Sequence, residues 1–262
     1  MSNWLVEFLR PWSFRGKVRI LQPLVPQSGI REAVVHGSRM RLDLEDYIQR
    51  MIYLGCYERW ETKIVRAVLQ PGMTFLDVGA NIGYFSLLAS NIVGPKGKVF
   101  AVEPSPYVAD LFAEAITTNQ ITNIHLKRCG LGASAGSVSL SIPGRGNHTP
   151  TMLTDTGAPS LSVQVERLDD CLKEWNCNHI DLLKMDVEGF EGFVLDGAPE
   201  AFAQHRIRRV LCEFNNPWLQ RAGSSSAKLY QRFRDLGFND LSDSRWEPDK
   251  ELSNRFLALP HP

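Results

Sequence analysis

From Met73 onward the chain alternates short apolar runs with amphipathic segments, and this rhythm restricts the fold more than any other feature. "MTFLDV" (73–78), "GKVFAVE" (97–103), "NIHLKRC" (123–129), "IDLLKMD" (180–186) and "RVLCEF" (209–214) read as strands. Between them "IGYFSLLASNIV", "YVADLFAEAITTN", "DDCLKEW", "FEGFVLDGAPEAFAQ" and, after the last, "SAKLYQRFRDLG" read as helices, and a closing pair ends in "RFLALP". Units of this kind predict an α/β fold: a mostly parallel sheet with helices on both faces and the ligand at the carboxyl ends of the strands, near the point where strand order reverses. "GSVSLSI" and "LSVQVERL" alternate like a hairpin or added strands around "PGRGNHTPTM".

Upstream, "YERWETKIVRAVLQPG" carries apolar residues at helical spacing and stops at Pro71-Gly72. Residues 1–55 read as an irregular N-terminal elaboration, broken by prolines in "LQPLVPQ", with extended pieces in "REAVVHG" and "RMRLDL". The aromatic start, with Trp4, Phe8, Trp12 and Phe14, reads as a helix docked on the core; the alternative, an interfacial membrane foot, is disfavoured by its few cations. Twenty-nine basic residues balance twenty-nine acidic ones, so no overall field draws the chain to nucleic acid. Five scattered cysteines without metal-site spacing favour a reducing cytosol, and no run approaches the roughly 18 apolar residues that span a bilayer. No feature sets the oligomeric state.

"LDVGANIGYF" (76–85) follows the first core strand and opens a helix. Gly79 and Gly83 let backbone pass closely, and Asn81 visits the left-handed region more readily than other non-glycine residues. Asp77 at the mouth of the loop opposes a pyrophosphate and attracts an ammonium, while Tyr84 occupies the place where a dinucleotide loop needs glycine. The competing reading is that Asp77 only ties down loop amides. Glu103, ending the second strand, stands where a nucleoside-binding sheet puts the acid that takes both ribose hydroxyls. S-adenosylmethionine, cationic and free of phosphate, suits this pair of acids.

"FLDVGANIGYFSLLAS", "VFAVEPSP", "VERLDDCL" and "IDLLKMDVEGFEGFVLDGA", in that order, resemble FkbM-type methyltransferases, and "YLGCYERWE" resembles the family's lead-in. The similarity runs over about residues 45–215. It implies a Rossmann-like, seven-stranded, class I methyltransferase domain over 56–262, with residues 1–55 as a dependent elaboration. It further implies that Asp77, Gly79, Asn81 and Gly83 hold the methionyl end and Glu103 the ribose, with Ala80, Tyr84 and Pro104 also at the cofactor; by placement alone Cys129, Gly130 and Leu131 lie against adenine, ordinary packing being the competing reading. S-adenosylhomocysteine is then a product, and the implied acceptor is a hydroxyl of a sugar, glycan or natural product. An amino acceptor, a nicotinamide-dependent oxidoreductase and a non-enzymatic nucleoside-binding module stay open as alternatives.

Methyl transfer needs alignment, exclusion of water and, for a hydroxyl, a base. In "LLKMDVEGFE" the extended alternation puts Lys184, Asp186 and Glu188 on one side, with Asp186 at the strand end, able both to contact the cofactor and to take a proton. A buried Lys184 requires a partner among these acids or Glu213; a purely structural ion-pair network is the competing reading. His148 in "GRGNHTP" is a second candidate base. Carboxylates on the fourth and fifth strands suit magnesium, but nothing in the sequence obliges a metal. "EFNNPW" faintly resembles a nitrogen-gripping motif, in the wrong place and without its second proline; Trp218 there reads as pocket wall or core.

Overall fold

The computed structural model describes residues 4–10, 12, 14–141, 159–247 and 250–260. The chain begins with helices α1 (Trp4–Leu9) and α2 (Lys17–Leu21), an antiparallel hairpin of β1 (Ile30–Val35) and β2 (Ser38–Asp43), and helices α3 (Tyr47–Tyr53) and α4 (Arg59–Val68). Then follow β3 (Thr74–Val78), α5 (Tyr84–Val93), β4 (Lys98–Val102), α6 (Pro106–Thr118), β5 (Ile124–Lys127) and β6 (Gly130–Leu131). Next come β7 (Gly136–Ser141), β8 (Ser160–Glu166), α7 (Leu168–Glu174), β9 (Leu182–Met185), α8 (Glu191–Asp196) and α9 (Pro199–Ala203). The chain closes with β10 (Arg209–Asn215), α10 (Asn216–Arg221), α11 (Ser226–Asp235), β11 (Asn239–Asp240) and β12 (Leu252–Ala258).

Seven strands form the main sheet in the order β11-β12-β10-β9-β3-β4-β5, with β10, β9, β3, β4 and β5 parallel and β12 antiparallel to both its neighbours. Strand order reverses between β3 and β9, so a cleft opens at the carboxyl ends of those two strands. The predicted α/β sheet is present.

Side-chain alternation divides the core between the two faces. Phe75, Val99 and Leu182 point to the face covered by α4, α5 and α6, whereas Leu76, Phe100, Leu183 and Met185 point to the face covered by α7, α8, α9 and α11. Phe75 and Leu76 are fully buried, and each such side chain contributes roughly 1.5–3 kcal/mol of transfer free energy. Asp77 shares the face of Phe75, and in the parallel register it lies opposite Lys184 of β9. β6, β7 and β8 form the small added sheet expected from the alternating segments.

Three expectations about elements change. The N-terminal stretch is more regular than its prolines suggested, because Asp46 caps α3 by accepting the Gln49 amide at 2.8 Å. The segment read as one helix over 190–204 splits into α8 and α9. There Gly197 passes against the Gly132 carbonyl, leaving no room for a side chain, and Pro199 starts a new turn. "NNPW" forms α10, again begun by proline.

α1 docks through the fully buried Val6, while Trp4, Phe8 and Trp12 remain 60–70% exposed. The N-terminal region is stapled to α3: Arg10 donates to the Tyr53 carbonyl at 2.8 Å, and the buried Lys17 donates to the carbonyls of Arg10 and Gly55 at 2.7 and 3.1 Å. These bonds fix the segment that leads to Tyr57 and Glu58. Among the described residues no helix is long and apolar enough to cross a membrane, and all five cysteines are free thiols.

Candidate active site

The loop between β3 and α5 satisfies its own amides. Gly79 and Ala80 both donate to the Val102 carbonyl (3.0 and 3.1 Å), Asn81 to Glu103 Oε2 (2.8 Å), Ile82 to Asn81 Oδ1 (2.7 Å) and Gly83 to the Ala80 carbonyl (2.9 Å). Asn81 takes the expected left-handed conformation at φ +51°. The two glycines make room for protein rather than ligand. With φ +82° at both, a Cβ on Gly79 would overlap the Asp186 carbonyl oxygen, and one on Gly83 would overlap the Phe112 ring of α6.

Asp77 does not meet the cavity. Its place on the Phe75 face of β3 turns it under the loop, where Oδ2 accepts from Ser86 Oγ at 2.6 Å and Oδ1 has no hydrogen-bond partner. Asp77 therefore lies under the loop against the first turn of α5, where its carboxylate faces the positive end of the helix, and not on the cavity wall. Burial raises its pKa, and Lys184 and the Ser86 hydroxyl pull it back.

The cavity opens beside this loop. Gly79, Ala80, Asn81, Tyr84, Glu103, Pro104, Cys129, Gly130 and Leu131 line it, as do Lys184, Asp186, Glu188 and Glu213. Of the expected residues within the described chain, only Asp77 and Gly83 stand behind it; His148 lies outside the described residues. Glu103, on the cavity wall, is held by two amides, Asn81 to Oε2 and Ser105 to Oε1, both at 2.8 Å. Burial pushes its carboxyl up to about 7 against those two bonds. Tyr84 is anchored through its hydroxyl, 3.1 Å from Thr62 Oγ1 of α4.

At the ends of β9 and β10 one cation serves many acids. Lys184 Nζ, with a side chain 6% exposed, donates to Asp186 Oδ2 at 3.1 Å, lies 3.9 Å from Glu58 Oε2 and sits 4.8 Å above the Phe85 ring. Burial alone would depress the lysine's pKa, but Asp186, Glu58 and Asp77 together raise it above the ordinary value. The pairing required of a buried Lys184 is thus met. Burial, reinforced by Asp186, pushes Glu188 up to about 8 and Glu213 up to about 10. Glu191, at the start of α8, accepts the amides of Val187 and Gly189 at 3.1 and 3.4 Å, and burial raises it to about 7. One carboxylate oxygen from each of Asp186, Glu188 and Glu213 falls within 4.8 Å of the others, close enough to share protons or to hold a divalent cation.

The N-terminal elaboration supplies a cavity wall opposite the sheet, as the sequence led one to expect, although none of its residues was named. Ile48 and Ile52 of α3, with Tyr57 and Glu58, complete the cavity. "YLGCYERWE" contained Glu58, but an acid at a helix start reads as a cap, and nothing local reveals that its backbone enters the left-handed region at φ +32°. Asn216 and Trp218 are absent from the wall: Asn216 Oδ1 accepts the Ser226 amide at 2.9 Å, and Trp218 stacks under Arg221 and backs Gly189. Of the two readings of Trp218, pocket wall or core, its packing against Gly189 favours the second.

The Methyltransferase FkbM domain matches residues 77–239, more than half of the chain and the part that builds the sheet and the cavity. The chain belongs to the FkbM methyltransferase family. It is 29% identical over 213 residues to methyltransferase sdnD of Sordaria araneosa, covering 69% of this chain and 80% of that protein. It is 30% identical over 180 residues to the 31-O-demethyl-FK506 methyltransferase FkbM of Streptomyces tacrolimicus, covering 56% and 67% respectively. Over 159 residues it is 29% identical to the 2-O-methyltransferase NoeI of Sinorhizobium fredii, covering 55% and 65%. This FkbM methyltransferase is an S-adenosylmethionine-dependent enzyme with a Rossmann-like fold.

Proposed function

We propose that the enzyme transfers the methyl group of S-adenosylmethionine to a hydroxyl oxygen of a sugar, glycan or natural-product acceptor. The observation that carries this reading is electrostatic: every amide of the loop over 79–83 is spent inside the protein, while the charged side chains on the cavity wall are carboxylates around one lysine. A diphosphate would find no free amides there and a wall of acids in place of basic side chains. A sulfonium and an ammonium find compensation. The choice of oxygen rests on the relatives named for O-methylation.

In this reading the methionyl part lies along Gly79, Ala80 and Asn81, the ribose hydroxyls meet Glu103 beside Pro104, and adenine lies against Cys129, Gly130 and Leu131. Asp77 acts through Ser86 and the start of α5, without touching the cofactor. Asp186 and Lys184 form the fixed end of the site, holding the reacting methyl in line with the acceptor. A magnesium ion held by Asp186, Glu188 and Glu213 would supply Lewis acidity toward the acceptor oxygen.

Titration calorimetry with S-adenosylhomocysteine and with NAD tests the cofactor: binding of NAD alone would reverse the reading. Mass spectrometry of source-cell glycans and metabolites, with and without the gene, tests the acceptor. The expected difference is one missing methyl on oxygen, and loss of an N-methyl instead would transfer the reading to an amino acceptor.

A further inference from the structure

The aromatic N-terminal segment reads from the sequence as a helix docked on the core, and docking of that kind requires its rings to be buried. The structure buries other residues instead. Val6 is fully enclosed, whereas Trp4, Phe8 and Trp12 stand 70, 60 and 62% exposed. Trp4 and Phe8, four residues apart in α1, share the side of the helix opposite Val6. α2 repeats the arrangement: Lys17 and Leu21 face inward, while Arg19 and Ile20, the latter 54% exposed, face solvent. So much aromatic and aliphatic surface gathered in one short segment marks an interaction site.

The same stretch carries a positive excess. Residues 1–24 contain four cations, Arg10, Arg15, Lys17 and Arg19, against one acid, Glu7, in a chain whose charges cancel over its whole length. Arg10 and Lys17 turn inward onto backbone carbonyls. Arg15 and Arg19 are exposed and make no ion pair among the described residues. Exposed rings with arginines beside them suit an anionic lipid surface: indoles settle at the boundary between headgroups and acyl chains, ring in the apolar layer and N–H toward water, while guanidinium groups meet lipid phosphate and carboxylate. A second copy of the chain fits less well, because two-fold pairing sets a patch against itself and would oppose Arg15 and Arg19 to their own counterparts.

We propose that α1 and α2 form an interfacial foot that binds an anionic lipid surface. Trp4, Phe8, Trp12 and Ile20 enter the headgroup boundary, and Arg15 and Arg19 pair with lipid headgroups. The helices lie in the plane of the surface, since among the described residues no helix is long and apolar enough to cross it. Arg10 and Lys17 staple this foot to the end of α3, whose Ile48 and Ile52 line the cavity, so the anchor and the cavity wall belong to one stapled unit.

The test is co-sedimentation of the full chain with vesicles of phosphatidylcholine containing phosphatidylserine, and with vesicles of phosphatidylcholine alone. Binding to the anionic vesicles should be at least about tenfold tighter, and R15Q/R19Q should remove that preference. In W4S/F8S/W12S, binding to the anionic vesicles should fall about a hundredfold with the melting temperature kept, because the three rings lie outside the core. Should that variant not fold, the unaltered protein decides: lipids brominated on their acyl chains should quench its tryptophan fluorescence, and less so in W4F/W12F. Absence of binding to the anionic vesicles would overturn the proposal, as would equal binding to both kinds of vesicle or unchanged binding by W4S/F8S/W12S. Binding without quenching would mean adsorption through charge alone and would also overturn it. A dimer in sedimentation velocity that W4S/F8S/W12S makes monomeric, with no vesicle binding, would overturn it in favour of a second copy of the chain.

Discussion

The loop over 79–83 and the acid cluster at the ends of β9 and β10 share one cavity but are built on opposite principles. In the loop each amide has a partner, and the glycines are demanded by close protein contacts. In the cluster, oxygens of Glu58, Glu213 and Glu191 are buried without hydrogen bonds, and burial keeps these carboxyls protonated well above their ordinary range. The loop is a finished shape. The cluster is an unfinished charge balance. Binding energy in such a site comes from relieving the free protein's electrostatics as much as from new contacts.

This contrast can be broken by mutation, most severely in the loop. Gly79→Ala places a Cβ on the Asp186 carbonyl at a φ of +82°, so it should destabilise the fold by about 4 kcal/mol or prevent folding; denaturant unfolding measures it. A loss below about 1 kcal/mol would show that the loop is looser than its hydrogen bonds indicate. In the cluster, Lys184→Met removes the cation that Asp186, Glu58 and Asp77 share, and should cost about 3 kcal/mol near pH 8. The cost should shrink near pH 5, where the acids can protonate, and equal losses at the two pH values would refute the unfinished charge balance.

Glu103→Gln sits where the two regions meet. It loses the charge and, because a glutamine has one acceptor oxygen, leaves either the Asn81 or the Ser105 amide facing an NH2 group, so S-adenosylhomocysteine should bind about ten- to hundredfold more weakly and the melting temperature should fall by a few degrees. Unchanged affinity measured by calorimetry would remove the ribose assignment.

The smallest effect is in pH dependence. Glu58, Glu103 and Glu191 at about 7, Glu188 at about 8 and Glu213 at about 10 all lie above the unfolded value of 4.5. A carboxyl whose folded pKa is raised contributes stability that is fully present below the unfolded pKa and lost as pH rises through the folded one. The free protein should therefore melt at progressively lower temperature from about pH 5 to pH 9. S-adenosylmethionine should restore more of this loss than S-adenosylhomocysteine does, a difference that differential scanning calorimetry can resolve. A flat profile would mean that the cluster is solvated.

Much of the architecture was legible in the chain, because strand and helix follow from local periodicity. Five parallel strands, the left-handed Asn81, the cavity position of Glu103 and the pairing of Lys184 all followed from patterns within a few residues. The family resemblance was legible for the same reason: its motifs cluster at the strand ends. Where propensity was ambiguous the reading slipped, as at α3, a seven-residue helix whose start depends on the Asp46 cap, and at the break between α8 and α9, which depends on Gly197 meeting Gly132.

What only the tertiary structure decided was where charges meet. Alternation along β3 is local, but whether Asp77 reaches the cavity or Ser86 depends on how α5 packs on the sheet. Glu58 joins Lys184 from 126 positions away in sequence, carried there by a left-handed turn and by the staples that bind α1 and α2 to the end of α3. Coulomb interactions and desolvation act on distances in space, so no period or motif in the chain encodes them.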